Sequence, residues 1–307
     1  MALTRFGYAS INVMDVDAAE RHYTEIVGLR TVERIDGKAY LQAKDNQDHH
    51  CMILNPSDSA GLESVGFKVN DPSDLEAAAK AAEAEGAKVT RIAAGEIPGQ
   101  GDSVQITLPS SHLLTLYYHA DKIGYAAGME NPDPTDGERL AGGKVNHLDH
   151  CLISVENPTE VTEFLIKVLD FGQSERAMDP AGEMMISFLF CGNTMHDLAL
   201  GPGQNGQLHH LAFMMDDRGD VIRGVDLLKE KGVPTFDYGL SRHGIGGVQT
   251  VYFHDPSGNR NEFFSGAYVT PGVPGRIPPI TWTVDHLTRG AFYYENAVPE
   301  TFFGETT

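Results

Sequence analysis

The sequence predicts an α+β protein built from paired βαβββ modules, arranged as two similar domains. Three observations predict it. The second half of the chain repeats the first at a nearly constant offset. The apolar stretches are short and rich in β-branched and aromatic residues, as strands prefer. Helix-forming stretches occur singly between them, and two that correspond stop at glycine, Gly86 and Gly232, the usual residue just past a helix end.

Taken in order, residues 7–13 align with 149–155 at an offset of 142, and both read as a first strand. Residues 26–34 align with 168–176 at the same offset, carrying the end of a helix into the next strand. Residues 64–69 match 210–215 at offset 146, and the helix over 74–85 matches that over 221–231. Residues 108–115 match 255–262 at offset 147, so the drift over the unit is five residues, the size of small loop insertions. These matches predict an N-terminal domain over 1–124 and a C-terminal domain over 144–270. Between them, 125–143 contains Asn131, Pro132, Asp133, Pro134 and Gly137 and reads as a linker. Residues 271–307 open on a Pro/Gly-rich connector and continue with Trp282, Phe292, Tyr293, Tyr294, Phe302 and Phe303. That aromatic density predicts a tail packed back on the body near the active site.

Composition narrows the function. Hydrophobic residues make up 41% and charged residues 21%, as in ordinary globular proteins. No apolar run reaches the roughly 18 residues of a membrane span, and no apolar segment of a secretory signal follows Met1. Cys51, Cys151 and Cys191 are scattered, which predicts free thiols and a cytoplasmic protein. A net charge of −20 spread along the chain disfavours nucleic acid and anionic membrane as partners and suits a small-molecule substrate. Seven of the 13 histidines lie between His147 and His254.

The repeat offers a test for functional residues. A polar group present in only one copy is not demanded by the fold. At aligned strand positions the second copy carries His150, His210 and Glu262, where the first has Tyr8, Ser64 and Thr115. A single strand histidine is more often a satisfied core group than a ligand; three coincident replacements in one copy favour a site. Two imidazoles and one carboxylate are the donor set of a facial triad, which suits Fe(II) or Mn(II) and leaves open positions for substrate and O₂. Zinc accepts the same set. Glu262 follows the turn Asp255-Pro256-Ser257-Gly258-Asn259, which joins two strand stretches, and an acid in so apolar a strand needs a cation or an outward direction.

With residues 252–262 reading Tyr-Phe-His-Asp-Pro-Ser-Gly-Asn-Arg-Asn-Glu, the chain resembles the type I extradiol ring-cleavage dioxygenases of the vicinal oxygen chelate superfamily, the catechol 2,3-dioxygenases above all. The resemblance covers nearly the whole chain, tail included. It implies Fe(II), or Mn(II), held by His150, His210 and Glu262, and catechol and O₂ as substrates. It implies cleavage beside the two hydroxyls to a 2-hydroxymuconic semialdehyde, and a homotetramer. Dihydroxybiphenyl or homoprotocatechuate as a larger substrate, and a silent ligand-binding relative, are the competing expectations. By the same resemblance His196 handles protons at the oxygen side, while His243 and Tyr252 hydrogen-bond the substrate oxygens. His196, His243, Tyr252 and Ile245 are thus the expected substrate contacts, with Ala291 and Phe302 setting room around the ring. His196 is expected on a strand. His209 is expected on the face opposite His210, as an exposed or capping residue, by simple strand alternation. His147 reads as structural, His254 as an outer-shell group at most, and His49 and His50 as loop residues.

Overall fold

A computed structural model describes residues 3–124, 130, 141–271 and 278–307. Most of the predicted linker 125–143, and part of the Pro/Gly connector, lie outside the described residues.

The first half runs β1 (Leu3–Val13), α1 (Val16–His22), β2 (Arg30–Ile35), β3 (Lys38–Gln42) and β4 (Met52–Pro56), then β5 (Gly61–Val69), α2 (Ser73–Ala84), β6 (Val89–Ile92), β7 (Ser103–Thr107) and β8 (Leu113–Tyr117). A π-helical turn, Tyr23–Val27, extends α1. The second half repeats this as β9 (His147–Val155), α3 (Pro158–Leu169), β10 (Gly172–Met178), β11 (Met184–Phe190) and β12 (Leu198–Pro202), then β13 (Gln207–Met214), α4 (Arg218–Glu230), β14 (Ser241–Arg242), β15 (Gln249–His254) and β16 (Arg260–Ser265). The tail adds β17 (Ile280–Thr283), α5 (Val284–Ala291) and α6 (Glu300–Gly304). Each half is thus two βαβββ modules. Among the described residues no helix is long and apolar enough to cross a membrane.

Local chemistry sets the helix ends. The side chains of Asp15, Asn157 and Asp217 cap the starts of α1, α3 and α4 by accepting backbone N–H bonds, and Pro158 opens α3 where its missing N–H costs nothing. The chain leaves its first helix through a left-handed residue in both copies. Gly28 (φ 98°) does this in the first, Asp170 (φ 59°) at the aligned place in the second, since a short polar side chain tolerates that region.

The two sheets share one topology. In each, the first strands of the two modules pair antiparallel at the centre, β1 with β5 and β9 with β13. Each of these pairs parallel with the last strand of its own module: β1 with β4, β5 with β8, β9 with β12, β13 with β16. The tail strand β17 lies parallel to β10 at one edge of the second sheet. Alternation along the strands sends Cys151, Ile153, Leu198, Leu200, Leu211 and Phe263 into the main core with the apolar faces of the helices, for example Leu75, Leu165 and Leu228. Leu152, Ala199, Ile186 and Phe188 point the other way and form a separate cluster with Met195 and Ile245. The site lies on that second face.

Alternation is broken at matching places in both copies. The β9–β13 pairing skips Asp149 and His209; the β1–β5 pairing skips Gly7 and Glu63, at the same offsets of 142 and 146. These are β-bulges, in which an extra residue changes which face its neighbours take.

Candidate metal centre

His150 comes from β9, His210 from β13 and Glu262 from β16, three neighbouring strands at the middle of the second sheet. One ligand atom from each lies within 4.8 Å of the others. Glu262 Oε2 stands 3.5 Å from His150 Nε2 and 3.2 Å from His210 Nε2. Thr250 donates its hydroxyl to the other carboxylate oxygen, and His243 Nε2 is 3.7 Å from it. All three side chains are buried, none in a residue more than 5% exposed, and among the described residues no Lys or Arg pairs with Glu262. A carboxylate so buried requires a compensating charge.

Burial and neighbouring charge act on all three groups. Burial alone would raise Glu262, but the two imidazoles hold its carboxyl well below the usual range. Burial likewise opposes the charged form of His150, yet Asp149 and Glu262 lift it to about 9; His210 is pulled by burial to about 4. A divalent cation fits between these groups, since both Nε2 atoms and Oε2 face one point.

The other expected residues gather around the same point. Tyr252 stands directly opposite Glu262 in the β15–β16 register, so the turn does place the two on one face. His243 donates its Nδ1–H to the Ala291 carbonyl, which leaves Nε2 to accept from the Tyr252 hydroxyl at 2.8 Å. The His196 ring lies 4.0 Å from that of His150 and packs edge-on to Phe188. His196 is not on a strand, however. Residues 192–197 form a turn, closed where the Asp197 carboxylate accepts from the Cys191 N–H at 2.7 Å, and β12 starts only at Leu198.

These groups form the floor of a cavity of about 400 Å³. Its walls include Leu152, Ile186, Phe188 and Ile245, and the tail contributes Ala291 and Phe302. The described lining residues include no Lys or Arg.

Several histidines behave differently from the expectation. His209 is buried beside His210 rather than turned away, because the bulge puts adjacent residues on one side. His147 lines the cavity through the bulge at Asp149 and bonds Asp149 at 3.1 Å. Asp149 itself, unnoticed in sequence, accepts from His150 Nδ1 at 2.8 Å, fixing that ring by the carboxylate–imidazole contact common behind metal ligands. His254 stacks on Phe236, away from the cavity lining. His49 and His50 are in a loop as expected, but buried against Tyr40. In the first copy the corresponding place is filled by Tyr8, packed on His50 and Tyr117; a Cβ at Gly66 would fall 2.0 Å from its ring.

Duplicated βαβββ modules, with two imidazoles and a carboxylate in one copy only, define the vicinal oxygen chelate class. The chain matches the Glyoxalase/Bleomycin resistance protein/Dioxygenase superfamily over residues 147–263 and the catechol 2,3-dioxygenase-like N-terminal domain over 62–122. It is 31% identical to metapyrocatechase of Pseudomonas sp. (strain CF600) across 97% of this chain and 96% of that one. It is 27% identical to manganese-dependent 2,3-dihydroxybiphenyl 1,2-dioxygenase of Geobacillus genomosp. 3, covering 95% and 94%. Its fold superimposes on the 2,3-dioxygenase LapB from Pseudomonas sp. KL28 with a TM-score of 0.88 at 35% identity, over 93% and 99% of the two chains. The chain belongs to the metapyrocatechase family of extradiol dioxygenases.

Proposed function

We propose that the substrate is catechol or a catechol bearing an uncharged, apolar substituent, and that Fe(II) held by His150, His210 and Glu262 is the cofactor. The observation behind this reading is the buried two-imidazole, one-carboxylate cluster at the floor of an apolar cavity whose described lining has no Lys or Arg. Mn(II) suits the same donors, and one relative is named for manganese. When bound, such a cation is a Lewis acid with open positions for the diol and for O₂.

The chain's own residues supply the rest. A catechol must release a proton to chelate, and we assign that proton to His196, whose ring lies 4.0 Å from that of His150. Tyr252 and His243 form a hydrogen-bonded pair beside Glu262 and hold the substrate's oxygens. The apolar walls and the tail aromatics Phe302 and Phe303 keep water from the ring. Both atoms of O₂ enter the product, so catechol gives 2-hydroxymuconic semialdehyde with no added reductant. A homotetramer, as the resemblance implies, in the cytoplasm, as the scattered cysteines predict, completes the reading; light scattering checks its mass.

The test is anaerobic reconstitution with Fe(II) or Mn(II), then catechol or 4-methylcatechol and air. One O₂ consumed per yellow ring-fission product is expected. No O₂ uptake with either metal overturns the proposal.

A further inference from the structure

His209 belongs to neither the triad nor the expected substrate contacts, yet it is 1% exposed and touches both the metal centre and the tail. Its Nδ1 lies 2.7 Å from His210 Nδ1, and its Nε2 meets the Phe302 carbonyl of α6. The proton positions follow in sequence. His210 must present a bare Nε2 toward Glu262 and the cation, so its proton is on Nδ1. His209 Nδ1 then accepts, so the His209 proton is on Nε2, where the Phe302 carbonyl takes it. Each partner has one consistent role.

Two further contacts support this assignment. Arg260, almost fully buried, donates to the same Phe302 carbonyl at 2.7 Å and to the Thr301 carbonyl at 2.8 Å. Its Nη1 approaches His209 Nε2 at 3.3 Å, but both are donors in this arrangement, so the shared carbonyl joins them. Next to His209, Leu208 exchanges two backbone hydrogen bonds with Thr307, at 2.6 and 3.0 Å. The tail is thus seated on both sides of one histidine, and the same tail places Phe302 and Phe303 in the cavity wall.

We infer that His209 is a positioning residue that fixes the tautomer and direction of His210 through Nδ1 and ties that ligand to the cavity-closing tail through Nε2. This rests on the reading of His210 as a metal ligand.

The two ends of the ring can be tested separately. In His209→Asn, the side-chain oxygen stands near the former Nδ1 and still accepts from His210, while the link to Phe302 is lost. In His209→Gln, the amide reaches the former Nε2 and still donates to Phe302, while His210 loses its acceptor. Fe(II) affinity is read anaerobically by competition with a chromophoric chelator, and tail seating by amide hydrogen exchange over 300–307. Expected are a dissociation constant within about threefold of wild type and faster tail exchange for H209N. For H209Q, a dissociation constant raised about 10–100-fold is expected, with tail exchange unchanged. Equal effects of both variants on either readout, as a purely structural histidine would give, overturn the inference. Wild type that binds no Fe(II), or H210A that binds it as well as wild type, instead overturns the metal reading beneath it.

Discussion

The cavity makes a quantitative prediction about substrate charge. Its described lining offers carboxylates, Glu262 and Asp149, but no Lys or Arg. His147, also in the lining, is raised to about 9 against the pull of burial by Asp149 and Asp45, which already pair with it. A substrate carboxylate entering here leaves water without a partner. Full desolvation of an ion costs several kcal/mol; because the cavity opens to solvent near Val269, which is 74% exposed, about 3 kcal/mol is the appropriate figure. That corresponds to roughly 100-fold in kcat/KM. The comparison is 3,4-dihydroxyphenylacetate against its neutral amide and against 4-ethylcatechol, followed by initial O₂ uptake. The acid should be slower by about that factor, and Val269→Arg, which adds a cation at the mouth, should recover roughly tenfold of it. If the acid and the amide differ by less than about threefold, the charge argument fails.

Three other outcomes are expected. Glu262→Gln keeps the shape but removes the buried charge between His150 and His210, so Fe(II) affinity should fall by at least roughly 100-fold in the chelator assay while the fold persists by circular dichroism. Glu175, 1% exposed, accepts from the Gly246 N–H at 3.1 Å in the His243 loop and from the Trp282 indole in the tail; glutamine can satisfy only one of these donors. Glu175→Gln should cost about 1–3 kcal/mol, a melting temperature lower by roughly 2–6 °C by calorimetry. Asp48 is buried among Arg5, Lys68 and Lys122, which outweigh the effect of burial and lower its pKa from 3.8 to about 2. The lowered folded-state value contributes about 2 kcal/mol, fully present above pH 4 and lost as pH falls through about 2, so the melting deficit of Asp48→Asn should shrink between pH 5 and pH 2.5.

Much of the fold was legible because both copies obey the same local rules. Gly86 and Gly232 end equivalent helices with positive φ, and the strand parity that sends Ile153 and Phe263 to the core also places His150 and Glu262 on the opposite face. The triad was legible for the same reason: at three strand positions that hold Tyr8, Ser64 and Thr115 in the first copy, the second carries His150, His210 and Glu262. The tail was legible only as aromatic density. The Trp282–Glu175 bond spans 107 residues, and no local pattern announces such a contact.

What parity could not give are the residues behind the triad, Asp149 and His209. Both occupy bulges, where the period of two fails, so counting from His210 sent His209 to the wrong face. The bulges themselves are not devices of the site, since the first copy has them at Gly7 and Glu63. There they carry no comparable chemistry: Gly7 gives room to Tyr117, and Glu63 is exposed. In the second copy the same two irregularities put a hydrogen-bonding residue immediately before each histidine of the triad and on the same side. Asp149 therefore reaches His150 Nδ1 at 2.8 Å, and His209 reaches His210 Nδ1 at 2.7 Å. A shared backbone feature thus serves as packing in one half and as orientation of two imidazoles in the other. Positions 149 and 209 differ from 7 and 63 as the triad positions differ from theirs, by a polar group present in a bulge of the second copy that the site uses.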